Sequence, residues 1–280
     1  MATSALVCTK DRPQFLRDCV SSLDAVLGAD DELIVVEHGD SGAASALAGL
    51  RVRAALHRAQ LSGKSRQLNE GVREASGEML VLTDDDCRVD AGWVTAMTAP
   101  FTDPAVGVVF GDVVGLSAVR GDSPPPLAAG LVPEVTWEYA NGAAMALRRR
   151  AVLDVGGFDE RLGPGAPLHG EEHDLVLRMF EHGWQARIAA APPVTHLEWR
   201  DEQETMRNLL VYSKGAGAFL GVAVRRARHR WLGLVLKRLR YQARLWRHAG
   251  AEGWLFGPRT TAAFLSGFAR GLLLGPKRWL

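Results

Sequence analysis

Short aliphatic runs alternate with helical patterns through the first hundred residues, and this alternation limits the possible folds more than any other feature. Ala5-Leu6-Val7-Cys8, Leu33-Ile34-Val35-Val36 and Met79-Leu80-Val81-Leu82-Thr83 read as buried strands, each short and rich in aliphatic residues. Residues 52–56 form a weaker strand of the same kind. Between the strands, Phe15, Leu16, Cys19, Val20, Leu23, Val26 and Leu27 recur at helical spacing behind Asp11-Arg12-Pro13, where proline suits a first turn. Residues 64–75 read as a helix with Leu68 and Val72 inward. Trp93, Val94 and Met97 mark a third helix, with Trp93 in the core. Strands and helices alternating at these lengths predict an α/β fold, with a mostly parallel sheet covered by helices on both faces.

Ligands of such sheets sit at the carboxyl ends of the strands. Three polar clusters fall there: Thr9–Arg12, Glu37–Ser41 and Asp84-Asp85-Asp86. The aspartate triplet is electrostatically unfavourable by itself. A hard divalent cation relieves the repulsion, because Mg²⁺ and Mn²⁺ prefer oxygen ligands and bridge carboxylates to phosphates. A solvated acidic turn opening the next helix is the alternative. If the strand persists, Asp84 and Asp86 point to one side and Asp85 to the other.

The second half is less regular. Residues 106–111, 143–147 and 185–189 read as strands. Residues 120–133, with Pro124-Pro125-Pro126, read as a loop, and residues 163–170 as a flexible one leading into a helix at Glu171-Glu172-His173-Asp174. From about residue 203 the pattern is helical and basic. A chain of 280 residues holds one large domain, or a domain with an appendage, and 47% hydrophobic content excludes disorder. Three cysteines, Cys8, Cys19 and Cys87, argue against a disulfide framework and fit a reducing compartment. The first ten residues read as a strand and not as a signal peptide. No apolar stretch approaches the ~20 residues of a membrane span, so the expected location is the cytoplasm.

Charge divides the chain. Residues 205–280 hold fifteen Lys and Arg against one acid, Glu252, for +14, while residues 1–204 carry −13. An acidic body with a basic tail implies two jobs or two partners.

Several segments, in order, resemble family 2 glycosyltransferases, which are inverting enzymes of the GT-A fold. Leu6-Val7-Cys8-Thr9-Lys10-Asp11-Arg12-Pro13 is similar to the opening nucleotide-binding loop. Ile34 through Ser41 is similar to the second strand end, with Glu37 where Asp is usual. Gly63-Lys64-Ser65-Arg66-Gln67-Leu68-Asn69-Glu70-Gly71 resembles an altered "G-x-x-x-A-R-N-x-G" segment. Leu82-Thr83-Asp84-Asp85-Asp86 resembles the DxD element. Asn141-Gly142-Ala143 through Arg148, then Gly156-Gly157-Phe158-Asp159-Glu160, resembles the acceptor-side block. Glu171-Glu172-His173-Asp174-Leu175 resembles the "E-D-x-D-L" helix start, and His196 stands where the family places a late metal-binding histidine. The resemblance covers residues 4–200.

It implies a GT-A catalytic domain over 1–200, with a nucleotide-binding half (1–100) and an acceptor-binding half (101–200), followed by a basic helical extension (201–280). It implies a metal-dependent transfer from a nucleoside-diphosphate sugar, a UDP-sugar above all, to a hydroxyl of a glycan, lipid-linked or small-molecule acceptor. Mn²⁺ or Mg²⁺ would neutralise the leaving diphosphate, held by Asp84, Asp85, Asp86 and His196. Which aspartate meets the metal and which the ribose stays open, and a plain loop histidine is the alternative for His196. Thr9, Arg12, Glu37, Lys64, Arg66 and Asn69, with Asp84 and Asp85, are the nucleotide-sugar candidates. Lys64 and Arg66 also fit a solvated helix face. Glu172 takes the position of the general base, with Glu171 as fallback. Trp137, Asn141, Gly142 and Asp174 are the acceptor-side candidates, although Asp174 also suits a helix N-terminus.

The basic tail suits a membrane periphery or self-association, with Trp231, Trp246, Trp254 and Trp279 as interfacial anchors. No nucleic-acid-reading module is recognisable. A sugar-phosphate nucleotidyltransferase is the rival among enzymes, but the loop after the first strand lacks the glycines it would need. A non-catalytic nucleotide-binding or membrane-associated protein is the rival outside them.

Overall fold

The computed structural model describes residues 2–115, 130–132, 140–197, 202–227, 231–248 and 250–274. Trp137, Trp279 and the proline run at 124–126 lie outside the described residues, as do the side chains of Trp246 and Trp254.

The first hundred residues fold as the alternation predicts. Strand β1 (Thr3–Lys10) leads through helix α1 (Pro13–Val26) to β2 (Glu32–His38). A short α2 (Ala43–Leu47) precedes β3 (Arg53–Arg58), and α3 (Lys64–Glu74) leads to β4 (Met79–Asp84). The four strands are parallel, in the order β3-β2-β1-β4. Both faces of β1, β2 and β4 are buried, which explains why these segments are continuous aliphatic runs without alternation. Leu16, Cys19, Val20 and Leu23 of α1 pack into the same core. Trp93, on α4 (Trp93–Thr98), is fully buried there.

Beyond β4 the sheet stops being purely parallel. The two-residue β5 (Cys87–Arg88), then β6 (Val106–Phe110) and β7 (Val113–Val114), are followed by β8 (Gly130–Val132) and β9 (Met145–Arg148). β9 inserts antiparallel between β4 and β6. After α5 (Arg149–Asp154) and α6 (Glu171–Glu181), β10 (Gln185–Ile188) joins β6 in parallel, and β8 closes the edge antiparallel to it. Part of the expected 120–133 loop is therefore a strand. One more strand lies beyond residues 185–189. β11 (Val194–His196) follows Pro192-Pro193 and forms a separate small sheet, β5-β11-β7.

Contacts divide the chain into two compact units, residues 1–158 with 175–199, and residues 159–174 with 200–280. The second unit contains α7 (Glu202–Ala227), α8 (Leu232–His248) and α9 (Gly250–Leu273). α7 and α9 pack at backbone distance. A Cβ on Gly217 would lie 2.0 Å from the Phe264 carbonyl oxygen, and one on Gly267 1.9 Å from that of Lys214. Among the described residues, no helix is long and apolar enough to cross a membrane. All three cysteines are free thiols.

Candidate active site

The register of the parallel strands brings the three polar clusters to one edge. Thr9 pairs with Glu37 across β1 and β2, and Cys8 pairs with Asp84 across β1 and β4. The loops after β1 and β2 interlock. Asp11 adopts φ +54° and its Oδ1 accepts the Asp40 N–H at 3.3 Å. Gly39 lies directly against that carboxylate at φ +83°, where a Cβ would come within 2.3 Å of it. Behind the loops, the buried Gln67 amide of α3 donates to the carbonyls of Thr9 (3.0 Å) and Val36 (2.7 Å), tying the ends of β1 and β2 together.

β4 ends at Asp84, so the expected alternation of the triplet does not hold. Asp85 and Asp86 form a turn and share a partner, while Asp84 has another. Arg12 Nη1 donates to Asp85 Oδ1 at 3.0 Å and to Asp86 Oδ2 at 3.1 Å. The Thr9 hydroxyl donates to Asp85 Oδ2 at 2.7 Å. Lys64 Nζ, at the start of α3, pairs with Asp84 Oδ1. Burial pushes the Asp85 carboxyl up to about 6, against the pull of Arg12 and the Thr9 hydroxyl. Asp84 moves the other way: burial raises it, but the charge and hydrogen bond of Lys64 outweigh that and hold it low.

His196 reaches the triplet from β11 and is not a loop residue. It pairs in register with Cys87, its Nε2 lies 3.5 Å from Asp86 Oδ1, and the Leu197 N–H donates to the Asp86 carbonyl at 2.8 Å. The ring is buried and its Nδ1 meets no hydrogen-bond partner. Asp86, Cys87 and His196 offer ligand atoms within 4.8 Å of one another. Carboxylate oxygen suits Mn²⁺ or Mg²⁺ and Mn²⁺ tolerates an imidazole beside it, whereas burial pushes the Cys87 thiol up, so it is a poor ligand for a hard cation. The residues present therefore fit a divalent ion held by Asp86 and His196.

Other candidates serve the scaffold. Glu37 Oε1 accepts the N–H groups of Ser41 (2.7 Å) and Ala43 (3.2 Å), while Oε2 faces Arg58 at 3.7 Å. Its carboxylate shapes the turn into α2. Asn69 donates to the Phe158 carbonyl at 3.0 Å and accepts the Phe158 N–H at 2.8 Å, so it clamps the Gly156-Gly157-Phe158 turn to α3. Asn141 Oδ1 accepts the N–H groups of Ala143 and Ala144, which makes it the organiser of a turn. Gly142 lies beside Lys64, whose Nζ would be 3.3 Å from a Cβ there. Arg66 is half-buried in the first turn of α3.

The acceptor-side carboxylates belong to the second unit. The 159–170 segment is not a free loop: Gly163 N–H donates to the Leu168 carbonyl at 2.7 Å and Asp159 is bidentate to Arg161. Gly170 and Gly215 allow close approach to α7. A Cβ on Gly170 would meet the Phe219 ring at 2.9 Å, and one on Gly215 would meet His169 at 2.6 Å. His173 stacks on Phe219 with ring centroids 4.8 Å apart. Asp174 is buried and pairs with Arg226 of α7 at 3.4 Å, so it ties the start of α6 to α7. Glu171 is buried, with its Oε2 accepting the Gly170 N–H at 3.2 Å, and Glu172 is half-buried beside it.

Gln67 and Cys87 were not among the expected site residues. Gln67 was legible in principle, because it adjoins Leu68 and precedes Gly71 by one turn on the inward face of an otherwise polar helix.

The family model described as "Glycosyl transferase family 2" matches residues 4–154. A pre-mycofactocin glycosyltransferase of Mycobacterium tuberculosis is 29% identical over 154 residues, covering 50% of this chain and 31% of that protein. The O-antigen biosynthesis protein RfbC of Myxococcus xanthus is 26% identical over 152 residues, 46% of this chain and 12% of that one. The chain thus spans a third or less of the length of these curated relatives. Among solved structures, the mannosyltransferase PcManGT of Pyrobaculum calidifontis, in complex with GDP-Man and Mn²⁺, matches with TM-score 0.64 at 18% identity, covering 96% of this chain and 86% of that one. S. aureus TarS 1-349 in complex with UDP-GlcNAc matches with TM-score 0.57 at 14% identity, covering 77% and 66%. The shared architecture is the GT-A fold.

Proposed function

The chain belongs to glycosyl transferase family 2, and on that premise we propose that it transfers a sugar from a nucleoside-diphosphate sugar to an acceptor hydroxyl with inversion. The observation that carries this reading is the convergence on Asp86. A buried imidazole faces it at 3.5 Å from one side and a guanidinium at 3.1 Å from the other, at the carboxyl ends of parallel strands. Such a grouping binds a divalent cation together with a diphosphate.

We assign the metal to Asp86 and His196, with Asp84 at the edge and Asp85 as the residue that orients Arg12. When bound, Mn²⁺ or Mg²⁺ neutralises negative charge on the leaving diphosphate. Arg12 and Lys64 are placed to donate to phosphate oxygens, and guanidinium suits that geometry. Thr9 keeps Asp85 turned inward. Glu172, with Glu171 as the alternative, takes the acceptor proton as the acceptor oxygen bonds to the anomeric carbon and the carbon–diphosphate bond breaks.

We propose a UDP-sugar as donor. A GDP-sugar is the competing choice, since PcManGT carries GDP-Man. The acceptor class we propose is a glycan, a lipid-linked glycan or a small molecule. Donor chemistry falls to residues 1–100, acceptor recognition to 101–200, and a membrane or self-association role to 201–280. Three free thiols support a cytoplasmic setting.

Nucleotide release from a panel of UDP- and GDP-sugars with Mn²⁺ tests the reading. Turnover abolished by chelator and by replacing Asp84, Asp85 and Asp86 together with Ala is the expected result. Full turnover under either condition would sink it, and pyrophosphate release from a nucleoside triphosphate and a sugar phosphate would favour a nucleotidyltransferase.

A further inference from the structure

We propose that the C-terminal helical unit binds the surface of an anionic lipid bilayer, with its helices lying in the interface. The inference rests on which side chains that unit leaves in water. Eight large hydrophobic residues are exposed among those described, and six belong to α7, α8 and α9: Tyr212, Leu232, Leu236, Leu265, Leu272 and Leu273. Scattered exposed leucines are ordinary, but a concentration of them marks a contact surface.

Their spacing is regular. Leu232, Leu236 and Arg240 follow at four-residue intervals along the exposed stripe of α8. Leu265 and Leu272, two turns apart, share a face of α9 with the exposed Ala262 and Ala269. Arg259 and Arg270 are exposed on the same helix. Among the described side chains of the three helices, none is acidic. The exposed side chains among those described therefore combine aliphatics with charges of one sign. The inner surfaces are already used: Gly217, Gly221, Gly267 and Gly271 bring α7 and α9 together at backbone distance, leaving the leucine stripes outside that contact.

The occupant must take up both components. A second copy meeting this face with its own would set arginines against arginines. The acidic body of a second copy would match the charge, yet Leu61 and Leu153 are its only large exposed hydrophobics among the described residues. A nucleic acid would match the arginines and leave the leucines in water. An anionic bilayer offers headgroup charge to the arginines and the acyl boundary to the leucines, which is the chemistry of interfacial amphipathic helices. No described helix is apolar enough to span, so the unit would lie on the surface.

Sedimentation of the full chain with large vesicles tests this without any transfer reaction. Vesicles of phosphatidylcholine with about one-third phosphatidylglycerol should bind at least about tenfold more strongly than pure phosphatidylcholine. Raising the salt should weaken that binding severalfold. Leu236→Asp with Leu265→Asp should reduce binding at least about tenfold, and Arg240→Gln with Arg270→Gln severalfold, with circular dichroism and the thermal transition unchanged. Leu236→Ser with Leu265→Ser serves if the aspartate pair does not fold. Binding unaffected by both leucine pairs, or equal on neutral vesicles, would overturn the proposal. So would leucine-dependent self-association in light scattering without lipid, or preferential binding of duplex DNA at the same salt.

Discussion

The acidic turn after β4 and the acidic start of α6 use the same residue types and are held by different forces. In the turn, the carboxylates are positioned by charges and hydroxyls brought from other elements: Lys64 from α3, Arg12 and Thr9 from the first strand and its loop, His196 from β11. At α6, the segment is positioned by close packing on α7, with Gly170 against Phe219, Gly215 against His169, and one buried ion pair, Asp174–Arg226. The first arrangement is the more sensitive to the loss of a charge. The second is sensitive to an added methyl group.

This contrast can be broken by experiment. The largest effect should come from Asp86→Ala, which removes one of the two groups assigned to the metal and takes one carboxylate partner from Arg12. A loss of about 10²–10³-fold in turnover is expected, with the melting temperature nearly unchanged. Loss of Mn²⁺ binding, followed by electron paramagnetic resonance, should accompany it. A variant that retains both turnover and Mn²⁺ would remove Asp86 from the site.

Gly217→Val should do the reverse. A Cβ 2.0 Å from the Phe264 carbonyl forces α7 and α9 apart, costing about 3 kcal/mol or more. Chemical denaturation would show a weakened helical unit, while Mn²⁺ binding in the other unit persists. Simultaneous loss of both would mean that the two regions are one cooperative structure.

Asn69→Ala leaves the buried Phe158 N–H and carbonyl without their partner and should cost about 2 kcal/mol of stability. Because Asn69 clamps a turn, a raised KM for donor with no stability change would contradict its scaffold role.

The smallest effect concerns pH. Burial pushes the His173 imidazole down to about 4, against the charge of Glu171 and with that of Arg238. The folded state therefore holds it neutral, and the stability this confers is full above about pH 6.5 and declines as pH falls toward 4. By pH 5.5 the loss should be about 1 kcal/mol. His173→Phe, which keeps the stacking on Phe219, should abolish that part of the acid sensitivity in thermal melts.

The parallel half of the fold was legible because β1, β2 and β4 are buried on both faces and so consist of uninterrupted aliphatics. The antiparallel insertion of β9 between β4 and β6 was not, since strand direction leaves no mark on residues that are equally apolar. β11 was missed because three residues are too few to show a period. Arg12 and the aspartates stood out as polar groups at strand ends, and Lys64 through the family resemblance at the start of a helix. Their pairing did not, because it depends on β4 stopping at Asp84. Asn69 and Asn141 looked like ligands for the same reason that they make good turn organisers: an amide satisfies backbone as readily as substrate.

The pairing of His196 with Cys87 has a bearing on how the centre is assembled. The imidazole lies more than a hundred residues beyond the aspartates and arrives on a strand with only two rungs on either neighbour. A slip of one rung would present Thr195 in its place and turn the ring to the opposite face. The pair proposed to hold the ion is thus among the last local structures the chain can complete, because the imidazole is in place only once β11 has joined β5 and β7.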